Sequence, residues 1–556
     1  MSLVKKVAPL KYARSDMDGV IDFLNTLTFN VKEASYGARG DNTGDDGPPI
    51  QAALNAAEAA GGGVVQMPPG KYRLASPLTI RNGVTLEGSG WSWGGQGTYL
   101  HVVNTPSMMA NSAITVTGDG VRLRNLAIEH DQPAPAGGWT PASYPFAIKC
   151  AAVFPALAND IEISDILLLN ANKGILLGDA AANIAVGRIL LDRISGQPLS
   201  VGIQIDYSLD VLRMSHVHFW PFWSQDTNVT LYQRSFAKAL VLQHVDGMTM
   251  DDFFCIFYNT GLHFTDTAIG RAQRILSNNL YLDVVGGSGI LVDGTFRTAQ
   301  FINTTITGAA GIGTNNALVV TGDGSQIQCA NFYVAGMGRR VIYIGAAARV
   351  DVTNFRAEVW SLETPTSTYP AIEVANANAL VTLDAGATFN RSSFGFTTPA
   401  GAPDIGGPGK VIRLGIQASA RVYRTTPQSI PQNVNTAISF DAERNDLPGW
   451  HDPANPTRLT AAVSGTFLVG CCVEWAASGL AGGRYTSIKF GGTLNLASQG
   501  GGLGGSESIV HQVNTQVYMN AGEYVEIVVF QSTGGPLNVL ADIAQSPEAW
   551  LSKIGE

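Results

Sequence analysis

The chain of 556 residues carries 35 Lys and Arg against 44 Asp and Glu, a formal net charge of −9, and only 14% of its residues are charged. No basic run occurs, which argues against a nucleic-acid partner, and no stretch of about eighteen apolar residues occurs, which argues against membrane insertion. Gly, at 63 residues, is abundant without a collagen period, so the composition suits many tight turns rather than disorder.

The first residues, Met-Ser-Leu-Val-Lys-Lys, lack the apolar core of a signal peptide. This fits release by cell lysis rather than secretion. Residues 1–34 read as a short head segment. Within it, 17–27 is amphipathic, with Val20, Ile21, Phe23, Leu24 and Leu27 apolar. A helix follows. Asp41, Asp45 and Asp46 precede Pro48 and Pro49, residue types suited to a first helical turn. Ile50, Ala53, Leu54 and Ala57 then recur at helical spacing until Gly61, Gly62 and Gly63 stop it. Short strands begin at Val64 and Val65 and are broken by Pro68-Pro69-Gly70, Asn82-Gly83 and Gly88.

From Thr79 to Val381 the chain repeats with a period of roughly 22–40 residues, the signature of a solenoid. Nine segments align: 124–129, 164–169, 192–197, 215–220, 251–256, 278–283, 302–307, 330–335 and 353–358. A second short strand often follows and opens on glycine, as at Gly174, Gly202, Gly261 and Gly289. Strand side chains alternate between faces. The third and fifth positions of each segment are apolar almost throughout, so they fill the interior. The second is Asn125, Asp165, Asp252, Asn279, Asn303, Asn331 or Asn354 in seven of the nine. Asn and Asp tolerate left-handed backbone, so this column reads as a ladder of turns, not of catalytic acids.

The fourth and sixth positions face outward. They set His218, Trp220, Phe254, Tyr281 and Tyr333 along one face, with Asp283, Arg356 and Glu358 among them. A row of rings suits the apolar faces of sugars, or burial against a neighbouring subunit. Two long insertions, 130–147 and 221–237, interrupt the repeat. Both are rich in aromatics, and the second also holds Asp226 and Arg234. After about residue 382 the repeat fades, and 396–416 reads as a linker. From Gln417 alternating strands separated by Gly-rich turns indicate an antiparallel domain over 417–556. The five cysteines have no metal-like spacing and read as reduced core residues; no metal or other cofactor is expected.

The stretch 35–90 resembles the opening of the pectate-lyase-like superfamily of right-handed parallel β-helices, to which many bacteriophage tailspikes belong. The resemblance rests on Tyr36-Gly37-Ala38, Gly40-Asp41, Asp45-Asp46, Ile50-Gln51-Ala52-Ala53, Gly62-Gly63, Pro68-Pro69-Gly70-Lys71-Tyr72 and Gly88-Ser89-Gly90. It implies an all-β chain: a single-stranded right-handed parallel β-helix over 35–395 with an N-terminal capping helix. The last 130 or so residues resemble the C1q/TNF-like jelly roll found at the ends of some phage tail proteins. Together these imply a homotrimeric virion protein, attached to the phage tail or baseplate through its N-terminus, that recognises and cleaves a bacterial surface polysaccharide.

Glycoside hydrolysis needs two carboxyl groups about 5–5.5 Å apart when retaining or about 6.5–9.5 Å apart when inverting. Neighbouring rungs lie about 4.8 Å apart. Asp283 and Glu358 share the sixth column but stand three rungs, about 14 Å, from each other. Each therefore needs a partner from elsewhere. The candidates in order are Glu358, Asp283, Asp226, Asp206 on a second strand, and Glu363, placed in the loop 360–369 as a partner for Glu358. Arg356 and Arg234 are candidates for holding an anionic sugar, beside the rings of Trp220, His218, Phe254, Tyr281 and Tyr333. His244 and His263 read as structural. The calcium-binding carboxylates of pectate lyases and the signatures of polygalacturonases are absent, which leaves hydrolysis of O-antigen, exopolysaccharide or capsule ahead of elimination. A non-catalytic receptor-binding spike uses the same face. A secreted bacterial enzyme or epimerase is the reading least favoured.

Overall fold

The computed structural model describes residues 28–152, 158–295, 298–308, 313–384, 386–393, 395–413, 419–446, 449–501, 507–541 and 547–555. The amphipathic segment 17–27 lies outside them. The chain divides into two compact units between Arg413 and Leu414.

The first unit is a parallel β-helix. Its described strands form two long sheets, and nearly all their pairings are parallel between one turn of the chain and the next. Helix α1, Gly47–Ala59, buries Ile50, Ala53, Leu54 and Ala57. It packs on Thr28–Asn30, Gly63–Met67 and Leu78–Ile80, at the start of the coil. The acids before it serve turns rather than the helix dipole. Asp45 accepts from the N–H groups of Gly47 and Ala75 at 3.0 and 2.9 Å. Asp46 accepts from Arg39 N at 2.7 Å and does not cap the helix with its side chain.

In the larger sheet the third and fifth positions of the aligned segments, such as Leu126/Ile128, Phe253/Cys255 and Phe332/Val334, are buried. The second position has positive φ in all nine, from Asn125 at 62° to Asn354 at 49°. Arg193 and His216 adopt it too, where the sequence offers no Asn or Asp. In these nine strands the pairing skips this position and resumes beyond it. Its amides stack: Asn354 Nδ2 donates to Asn331, Asn331 to Asn303, and Asn303 to Asn279, at 2.8, 2.7 and 3.3 Å.

In the smaller sheet the opening glycines are required by the spacing of the turns. A Cβ on Gly202 would stand 2.3 Å from the Ala239 carbonyl oxygen and 2.4 Å from the Phe219 ring. All five cysteines are free and buried.

Residues 396–413, whose Gly and Pro suggest a linker, instead carry a further turn of the coil. Ile405–Gly406 pairs with Ile372–Val374, and Lys410–Arg413 with Leu380–Leu383. Tight turns and linkers share a composition, and only strand pairing tells them apart. The second unit contains two antiparallel sheets around Trp450, Phe467, Val469, Trp475 and Ile488.

Candidate functional site

The outward fourth column is continuous across the larger sheet. Strand register places Ser195, His218, Phe254, Tyr281, Thr305, Tyr333 and Arg356 side by side on successive turns. Before Ser195 the same column is Tyr99, Ala127 and Leu167, which are buried under Trp91, Leu169 and Phe222. The open part of the face therefore begins at His218.

Its aromatic residues touch one another edge to face. Ring centroids lie 5.0 Å apart for His218–Phe254 and 5.3 Å for Phe254–Tyr281. The row continues through Phe222 and Trp220 to Trp93, which is 60% exposed. Such contacts favour ring edges against ring faces and hold each side chain in place. Partial desolvation by the neighbouring Phe222 and Phe254 rings holds the His218 imidazole below its ordinary range.

The two insertions pack on each other beside this row. Trp139 from the first lies 5.9 Å from Trp223 and 5.7 Å from Tyr232 of the second. The second is not a loop throughout. Its residues Thr227–Phe236 form helix α2, and Asp226 caps it by accepting from Asn228 N at 2.8 Å. Gln197, expected to face outward, is buried beneath this insertion, where its Oε1 accepts from Trp223 N and Ser224 N.

The far end of the row is a charged cluster. Glu358 is 2% exposed and accepts from Tyr333 Oη at 3.0 Å and Ser393 Oγ at 2.7 Å. It also forms an ion pair with Arg356, whose guanidinium lies 5.7 Å from the Tyr333 ring centre. Burial pushes the Glu358 carboxyl up, but the three donors and the Arg356 charge outweigh it and hold the group below the usual carboxylate range. The same contact works the other way on Tyr333. Burial and the bond to Glu358 push its phenol up to about 12, so it remains a protonated donor.

The remaining carboxylates are dispersed. Asp283 accepts a hydrogen bond from Thr307 Oγ1, and register keeps it three turns from Glu358. Arg234, at the end of α2, lies over the Phe257 ring at 5.7 Å, and Phe257 N donates to the Asp283 carbonyl at 3.2 Å. The fold thus brings Arg234 toward the Asp283 turn, in the middle of the row. Glu363, expected to partner Glu358, carries its own counter-ion. Arg339 grips it through two hydrogen bonds of 3.0 Å, and this contact holds its carboxyl below the ordinary range. Asp206 stands on the smaller sheet and accepts from Ala180 N at 2.7 Å. His263, also there, bridges Lys238 and Asp293 at 3.0 and 2.8 Å, and His244 stacks on Tyr207.

Sequence reasoning missed Ser393, Trp93 and Phe222. Ser393 follows the point where the repeat fades. Trp93 belongs to Trp91-Ser92-Trp93 and Phe222 to the second insertion, and aromatic content was the available signal for both.

Residues 28–136 match the family described as rhamnogalacturonase A/epimerase, pectate lyase-like. Among curated proteins, the mannuronan C5-epimerase AlgE6 of Azotobacter vinelandii is 46% identical over 71 residues, which cover 12% of this chain and only 8% of that protein. Among solved structures, the A-module of the A. vinelandii mannuronan C-5 epimerase AlgE4 aligns with 69% of this chain and 99% of its own, at 16% identity and a TM-score of 0.36. The enzymatically active domain of bacteriophage CBA120 tailspike protein 4 aligns with 94% of this chain and 68% of its own, at 11% identity and a TM-score of 0.33.

Proposed function

We propose that the β-helical unit binds an extended bacterial surface polysaccharide along the aromatic row and cleaves it, as a tailspike on a phage virion that trimerises through a jelly-roll second unit. The observation that carries this reading is the continuous column His218–Phe254–Tyr281–Thr305–Tyr333–Arg356. Six positions at about 4.8 Å per turn span about 24 Å, a length suited to several sugar rings laid along the coil. Rings supply apolar contact to sugar faces, and Arg356, Glu358 and Tyr333 supply polar contacts at one end. The match of residues 28–136 to a family of carbohydrate-active enzymes supports the substrate class.

Hydrolysis requires a second carboxylate near Asp283 or Glu358. Asp226, Asp206 and Glu363 are each held by other contacts. In the proposed trimer a neighbouring copy is a further source of the second carboxylate.

The Tyr333–Arg356–Glu358 cluster favours a second reading, elimination on a uronate. There Arg356 neutralises the sugar carboxylate and a base removes the adjacent ring proton. The C–H electron pair becomes a ring C=C bond as the glycosidic C–O bond breaks, and the Tyr333 hydroxyl protonates the departing oxygen. The 71-residue match to a mannuronan epimerase, by name an enzyme of uronate chemistry, lends this reading weight.

Incubation with the host polysaccharide tests both. New reducing ends without ultraviolet absorbance support hydrolysis, and absorbance from an unsaturated uronate supports elimination. Binding to the cognate polysaccharide with unchanged polymer size leaves a non-catalytic receptor-binding spike and overturns cleavage.

A further inference from the structure

From His218 to Tyr333 the outward row is interrupted at one turn. Strand register puts Thr305 between Tyr281 on the turn before it and Tyr333 on the turn after it. The two tyrosines therefore stand two turns apart, about 9.6 Å along the coil. The ring of Tyr281 contacts Phe254, and that of Tyr333 lies against Arg356; among the described residues the two rings do not contact each other. The side chains between them are small: Thr305 and Thr307 on one turn and Ala335 on the next. Thr305 is half-buried. Its hydroxyl makes no hydrogen bond among the described residues, and yet it is not sealed from water.

Asp283 borders this gap. Its Oδ1 accepts from Thr307 Oγ1, which itself accepts from Val284 N at 3.0 Å. Among the described residues no hydrogen bond reaches Asp283 Oδ2. Val284, directly after Asp283, has a φ of 47°. Left-handed backbone is an outlier for a β-branched residue; it persists where the surroundings impose it, and it concentrates at functional sites. It coincides here with a shift of strand register between Leu282 and Val285. Such irregularities re-aim side chains beside binding sites. The carboxylate is thus held from one side by Thr307 and left with an acceptor free on the other.

We propose that Thr305 is the specificity-determining residue of the row. Its small side chain opens a subsite between Tyr281 and Tyr333, and one sugar ring of the bound polysaccharide inserts there, donating a hydroxyl to Asp283 Oδ2. This rests on the reading of the row as a polysaccharide site. Carbon atoms in contact lie about 3.5–4.0 Å apart, so a ring held between two tyrosines takes up about 7–8 Å of the roughly 9.6 Å between them. A third aromatic residue at position 305 closes that space.

The test measures binding of the full chain and its variants to an array of purified bacterial O-antigens, exopolysaccharides and capsular polysaccharides. Thr305→Tyr repeats the residue that the column carries on both neighbouring turns, so the strand can hold it. If the row were an unbroken platform, the added ring would leave binding equal or make it tighter. With the subsite, Thr305→Tyr should weaken binding at least 10-fold, while Thr305→Ser, which keeps the gap open, should bind as wild type does. Equal or tighter binding by Thr305→Tyr would overturn the subsite. Should Thr305→Tyr lower the unfolding temperature, Thr305→Gln fills the gap without a ring and carries the same expectation. Tyr281→Ala tells this failure from failure of the row. If it weakens binding while Thr305→Tyr does not, only the subsite is lost; if it binds as wild type does, the row and the subsite are lost together.

Discussion

Tyr281 is 41% exposed and contacts Phe254 along its edge, so its ring can be removed without opening the core. Tyr281→Ala should weaken binding of the cognate polysaccharide by about 1–2 kcal/mol, roughly 5- to 30-fold. Calorimetric titration measures this, and an unchanged unfolding temperature should accompany it. Glu358 is different, because its carboxylate organises Tyr333, Ser393 and Arg356 from a buried position. Glu358→Gln should destabilise by about 1–3 kcal/mol near neutral pH. The folded carboxyl holds its proton less readily than the unfolded one. Its contribution is therefore complete above the ordinary glutamate range near 4.5 and is lost as pH falls through the lower folded value. Thermal unfolding from pH 6 to pH 3 should show the gap between wild type and Glu358→Gln closing as acid is added. A constant gap would mean that ionisation of Glu358 is not what stabilises the cluster.

At the scale of the element, the column of left-handed residues decides how each turn bends. Asn303 has a φ of 53°, donates to Asn278 and Asn279, and accepts from Asn331. Asn303→Ala meets the steric cost of left-handed backbone, about 1–2 kcal/mol, and also breaks the amide stack. Asn303→Gly loses only the stack. Urea unfolding should rank stability as wild type, then Asn303→Gly, then Asn303→Ala; the reverse order for the two variants would show that the amide stack, not the backbone, places asparagine here. This column was legible because Asn and Asp repeat at one position. The covered part of the outward face was not. Ala127, Leu167 and Gln197 occupy outward positions in the strand alternation, yet insertions from distant parts of the chain bury them.

At the scale of the whole molecule, the chain comprises a β-helical unit and an antiparallel unit, each with its own core. If the second unit trimerises as proposed, sedimentation equilibrium of the full chain should give three times the chain mass at micromolar concentration. A monomer would overturn the proposed trimer and remove any carboxylate that a neighbouring copy supplies.

Local rules were enough for the sequence to determine the repeat, the interior column, the turn column and the outward aromatic row. Strand alternation is a period of two, and left-handed backbone selects Asn, Asp and Gly, so both are written into neighbouring residues. Tertiary structure alone decided which carboxylates are available. Glu363 became the partner of Arg339 and Glu358 a buried acceptor of Ser393 because residues remote in the chain reached them, whereas Asp226 caps its own helix through a local contact with Asn228. A carboxylate's chemistry depends on the donors and charges within a few ångströms of it, and those neighbours are set by how the turns of the coil stack.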